Sequence, residues 1–122
     1  MMLSKNFHLC ELICKCGCES HSLTKLKELA TNLQHIRDLY DSPIWVNSAY
    51  RCPKHNAAVG GVVHSTHTRH LASDLRAVNQ KHQVAITSAI HELIADEIIP
   101  DGGLCMYDSF IHVDFRGERS RW

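Results

Sequence analysis

Ser65-Thr66-His67-Thr68-Arg69-His70-Leu71-Ala72-Ser73-Asp74 is the stretch on which the reading of this chain turns. It sets an imidazole and a carboxylate seven positions apart. Both are ordinary zinc ligands, with bonds of roughly 2.0–2.2 Å. A straight helix would hold them about 10 Å apart along its axis, too far for one ion. A loop carrying His67 that runs into a strand carrying Asp74 brings them together. Leu71 to Leu75 suits that strand, with Ala72 and Asp74 on one face and Leu71, Ser73 and Leu75 on the other. A carboxylate in an otherwise apolar strand is costly unless paired or bound to a cation. Taken alone, such a His–Asp pair is more often a surface pair than a metal site.

A second polar strand lies near the C-terminus, Phe110-Ile111-His112-Val113-Asp114-Phe115. His112 and Asp114 are two apart, so they share a face. His67, Asp74 and His112 together offer three ligands and leave a fourth position open, which is the catalytic rather than the structural pattern of zinc.

Ser65-Thr66-His67, Ala72-Ser73-Asp74 and His112-Val113-Asp114 resemble the zinc motifs of the M15 peptidases, the D-alanyl-D-alanine carboxypeptidase and phage endolysin group. Ser48-Ala49-Tyr50-Arg51 and His55-Asn56-Ala57-Ala58-Val59-Gly60-Gly61 are similar to the stretch such proteins carry upstream. The resemblance runs from about residue 3 to the end. One departure is His70, where the family usually has Gly, a residue that tolerates backbone angles His avoids. The resemblance implies a zinc peptidase acting on peptidoglycan stem peptides, at or near a D-amino acid, as a carboxypeptidase or an endopeptidase. It implies Zn²⁺ on His67, Asp74 and His112, a transition-state role for Arg51, and a substrate-carboxylate contact for Ser65. Without it, Arg51 reads equally well as a surface residue. The family often places its general base three residues before the last His, and that position here is Ser109. Asp114 is our first choice for the base and Asp108 the second. Hedgehog signalling domains resemble the same family and keep the zinc without known peptidase work. An inactive zinc-containing binding protein of the same fold is therefore the alternative.

The chain has 122 residues with 13 acidic and 13 basic side chains. That length suits a single domain, 1–122, with one modest core. Balanced charge argues against nucleic acid or an anionic membrane as partner. No apolar run approaches the ~20 residues that span a bilayer. Residues 1–7 lack a signal-peptide core, so we expect synthesis in the cytoplasm and action on the wall after release or assisted export, as in phage-type enzymes. A monomer is expected. Ten histidines favour metal chemistry.

Six cysteines in a leaderless chain suggest thiols or metal rather than disulfides. Cys14-Lys15-Cys16-Gly17-Cys18 lacks the C-x2-C spacing and the second pair of a zinc knuckle. The favoured reading is a turn at Gly17 with reduced thiols. Cys52 and Cys105 stand apart and are free to approach in space.

The expected fold is α+β, a small antiparallel sheet with two main helices around a single zinc site, of the Hedgehog/D-Ala-D-Ala peptidase kind. Leu23, Leu26, Leu29, Leu33, Ile36 and Leu39 form one apolar stripe from Ser22 to Tyr40. Ser22 is the N-cap candidate, and Asp41-Ser42-Pro43 ends the helix. The second helix spans 80–97, with a short one over 53–59. Strands are expected at 44–48, 71–75, 104–107 and 110–115, with a turn at Asp108-Ser109. Trp122 is positioned to cover an apolar patch.

Overall fold

A computed structural model describes all residues, 1–122. In chain order the elements are α1 (Leu9–Leu12), α2 (Leu23–Tyr40), β1 (Trp45–Ser48), α3 (Pro53–Ala58), β2 (Ala72–Arg76), α4 (Gln80–Ala95), β3 (Gly103–Met106), β4 (Ile111–Asp114) and β5 (Ser120–Arg121). The five strands form one sheet in the order β1-β2-β4-β3-β5. Only the β3–β5 pairing is parallel. The architecture is the expected α+β one.

Helix α2 starts where Ser22 Oγ accepts the Lys25 amide and stops where Asp41 turns left-handed at φ 57°. Its stripe Leu26, Leu29, Ala30, Leu33 and Ile36 is buried. Helix α4 is capped by Asn79 and buries Ile86, Ile90 and Leu93. Both stripes join Leu75, Leu104, Ile111 and Val113 in one 22-residue core. Alternation along β2 and β4 therefore turns Leu75, Ile111 and Val113 toward the helices. Ala72, Asp74, His112 and Asp114 face the other way, where the site opens. No helix is long and apolar enough to cross a membrane.

Three short features fall outside the sequence expectations. Helix α1 is a single turn closed by a capping box between His8 and Glu11. Strand β5 is two residues added at the sheet edge. His70 adopts φ 60°, a left-handed conformation that His enters several times more readily than most residues, though Gly does so freely. Two contacts hold it there. Its Nε2 accepts the Ser22 amide at 2.9 Å, and its ring stacks on Tyr50 at 4.0 Å. Burial, with Lys25 and His21 nearby, lowers the His70 pKa and so favours the neutral ring that this acceptor role requires.

Candidate metal centre

Sheet register sets the site. Asp74 on β2 lies directly opposite His112 on β4, and Ala72 opposite Asp114. The 65–71 turn, closed by hydrogen bonds from Thr68 to Ser65 and from Leu71 to Thr66, carries His67 over the same face. His67 Nε2 lies 3.3 Å from Asp74 Oδ1, and His112 Nδ1 lies 3.3 Å from the same oxygen. These three atoms are mutually close enough to share one ion. The separation is long for an N–H···O hydrogen bond, usually 2.7–3.2 Å. It equals the edge, about 3.3–3.4 Å, of a tetrahedron with 2.0–2.1 Å metal–ligand bonds. Two imidazoles and one carboxylate are also the donor set of catalytic zinc. The residues fit the ion that the sequence motifs imply.

Each ring is held by its other nitrogen. His67 Nδ1 meets the Ala49 carbonyl at 2.7 Å, and His112 Nε2 meets Asp114 Oδ2 at 2.8 Å. Donation there leaves the facing nitrogens as acceptors, the arrangement that orients metal-binding histidines. Burial pushes the Asp74 carboxyl up, but the facing His112 and His67 imidazoles outweigh it and pull the value down to about 2. Burial also disfavours a charged His112, yet its bonds to Asp114 and Asp74 raise its pKa overall.

Asp114, the first choice for the general base, has its carboxylate held by His112, Gly103 and Arg116. It is buried and accepts from His112, from Thr66 Oγ1 at 3.2 Å, from the Gly103 amide at 2.9 Å, and from Arg116 Nε and NH2 at 2.9 and 2.7 Å. Despite burial, Arg116 and His112 hold its pKa far below the usual carboxylate range. Gly103 supplies the cradle, since a Cβ there would run into the Asp114 carboxylate and the Arg116 guanidinium. Asp108 lies on the exposed β3–β4 turn, and its side chain makes no hydrogen bond or ion pair.

The donor atoms open into a cleft of about 360 Å³ lined by Arg51, Ser65, Tyr107, Phe110 and Trp122, besides the three ligand residues and Gly61-Val62. A larger groove, about 480 Å³, lies between α2 and residues 68–71 and includes no metal-donor cluster. The His67–Asp74–His112 donor cluster lies in the smaller one. Arg51 has no acidic partner, and its Nε is buried without a hydrogen bond. Ser65 Oγ accepts the His67 amide at 3.2 Å. Trp122 packs 5.0 Å from the His112 ring and donates to Tyr107 Oη at 2.6 Å, while Tyr107 stacks on Phe110. The patch covered by Trp122 is thus the cleft wall. Tyr107 and Phe110 were readable only as strand residues, because their place beside the site depends on the hairpin turn.

A family model described as Peptidase M15 matches residues 5–114. The chain belongs to the M15 peptidase family. No curated protein matches it. Membership supports a hydrolase with a peptide substrate, and every motif residue around the cleft of this M15 chain lies within the matched span.

Proposed function

We propose that this M15 chain is a zinc peptidase that hydrolyses peptidoglycan stem peptides at or near a D-amino acid, acting on the wall after release or export. The reading rests on one observation above all. His67 Nε2 and His112 Nδ1 each lie 3.3 Å from Asp74 Oδ1, a tetrahedral edge length, beneath a cleft that also holds an unpaired arginine. Zinc on these atoms would supply Lewis acidity and a water acidified toward neutral pH.

The chain's own groups do the rest. Arg51 stabilises the negative charge that develops on the carbonyl oxygen of the scissile bond. The Ser65 hydroxyl binds a substrate carboxylate. The aromatic wall of Tyr107, Phe110 and Trp122 packs against the peptide and limits solvent. Asp114 fixes His112 through Nε2 and acts as a positioning residue. A general base takes the proton from the attacking water and passes it to the leaving amine; with Asp114 tied to His112 and Arg116, the candidate is Asp108, on the turn between Tyr107 and Phe110 and outside the cleft lining.

One observation favours an inactive zinc-containing binding protein instead: Asp74 is the only carboxylate lining the cleft. Mass spectrometry of purified muropeptides incubated with the zinc-loaded protein separates the readings. Loss of one terminal alanine marks a carboxypeptidase, and a split stem or cross-link marks an endopeptidase. An unchanged digest across muropeptide types refutes peptidase activity and leaves the binding protein.

A further inference from the structure

A second cluster of metal donors lies outside the cleft. Cys14, Cys16, Cys18 and Cys52 bring all four sulfurs within 4.8 Å of one another. Cys14 Sγ is 3.2 Å from Cys16 Sγ and 3.8 Å from Cys52 Sγ, and Cys16 Sγ is 3.6 Å from Cys52 Sγ. A tetrahedral zinc with Zn–S bonds of about 2.3 Å sets its sulfurs about 3.8 Å apart. All four cysteines are free thiols.

The local chain explains how an unusual C-x-C-x-C run reaches this geometry. Gly17 sits at φ 82° and its amide bonds the Cys14 carbonyl at 3.1 Å. That left-handed residue reverses the chain between Cys16 and Cys18, so sulfurs two and four positions from Cys14 come to one side. The fourth sulfur arrives from the far end of β1. Two amides point at the cluster, Cys52 N–H to Cys14 Sγ and His55 N–H to Cys52 Sγ, each at 3.4 Å. Amides so placed can hydrogen-bond metal-bound sulfur. Cys14 and Cys52 are buried, while Cys16 and Cys18 lie toward solvent, which leaves an entry path.

We propose that Cys14, Cys16, Cys18 and Cys52 bind a second zinc ion, a closed four-thiolate structural site separate from the His67–Asp74–His112 centre. Four protein ligands leave no open position, so the ion serves the fold rather than the reaction. It clamps the segment after α1 onto the residue next to Arg51. Neighbouring contacts follow the same seam: the Tyr50 amide bonds the Leu12 carbonyl at 3.1 Å, and Tyr50 Oη meets Ser20 Oγ at 2.9 Å. The second ion therefore positions Arg51 at the cleft edge. This inference stands whether or not the cleft hydrolyses anything.

The test is cadmium-113 NMR of the reduced full-length protein loaded with cadmium, beside elemental analysis of the zinc form. The expected result is two zinc ions per chain and two cadmium resonances, one at the strongly deshielded position of four thiolates. The Cys16→Ser/Cys18→Ser variant loses that resonance and one zinc while keeping the nitrogen/oxygen resonance. The His67→Ala/His112→Ala variant shows the reverse. Wild-type protein with a single zinc and no thiolate resonance overturns the proposal, as does protein prepared under reducing conditions whose four cysteines pair as disulfides. Either variant failing to fold leaves the wild-type count and spectrum to decide.

Discussion

Replacing Asp114 with Asn separates two roles for this carboxylate. The substitution keeps shape and removes charge. One terminal atom can still accept from Gly103 and Arg116 Nε, but an amide nitrogen must then face His112 Nε2, Arg116 NH2 and Thr66 Oγ1, all within 3.2 Å of Oδ2 in the native protein. At His112 Nε2 and Arg116 NH2 donor meets donor, at a site that is 1 % exposed. Breaking a buried ion pair costs about 3–5 kcal/mol, against a total stability of about 5–15 kcal/mol for a typical domain, so Asp114→Asn folds with a lowered denaturation midpoint. Loss of the carboxylate behind a ligand imidazole weakens metal binding about 10–100-fold, or about 1.4–2.8 kcal/mol. Chelator-competition titration should read that loss, and saturating zinc should return kcat to near the wild-type value. In the same assays Asp108→Asn keeps native zinc affinity and loses about 10²–10⁴ in kcat, the scale of general acid–base catalysis. Unchanged zinc affinity in Asp114→Asn, with kcat unrecoverable at any zinc concentration, would refute this reasoning and return Asp114 to the proton-transfer step.

Three further outcomes follow from the geometry. Arg51→Ala should keep its zinc and lose about 10²–10³ in kcat, the usual contribution of an oxyanion group; steady-state kinetics with unchanged kcat would make Arg51 a surface residue. Gly103→Ala should cost about 1–3 kcal/mol, as overpacking does, because its Cβ meets the Asp114 carboxylate; an unaltered denaturation midpoint would contradict the cradle. His70, whose pKa is lowered in the fold, stays neutral while the unfolded chain takes up its proton near the ordinary value of about 6.5. Its contribution is thus present above that value and is lost as pH falls toward the lower folded pKa. His70→Asn should show a smaller drop in denaturant midpoint between about pH 7.5 and 5.5 than wild type, and equal drops would deny the role.

The meeting of His67, Asp74 and His112 was legible because period-two alternation and a short loop suffice to gather them on one face. The same alternation put Asp114 on that face but said nothing of its direction along it. Arg116 and Gly103 decide that direction, and neither carries a sequence signal for it. The long helices were readable from their stripes, whereas α1 and β5 are too short to show a period. Spacing within residues 14–18 cannot show the four-sulfur cluster, because its fourth member, Cys52, enters from another element. Cys105, its supposed neighbour, sits in β3 opposite His112. His70 signalled a departure from the family, and the structure turns that departure into a support between α2 and Tyr50.

Anomalous diffraction at the zinc edge from crystals of the full chain locates the ion directly. A zinc peak is expected bonded to His67 Nε2, Asp74 Oδ1 and His112 Nδ1, with His112 Nε2 still against Asp114. Zinc-loaded crystals with no peak among these three atoms, or with the ion on His112 Nε2, would contradict that expectation.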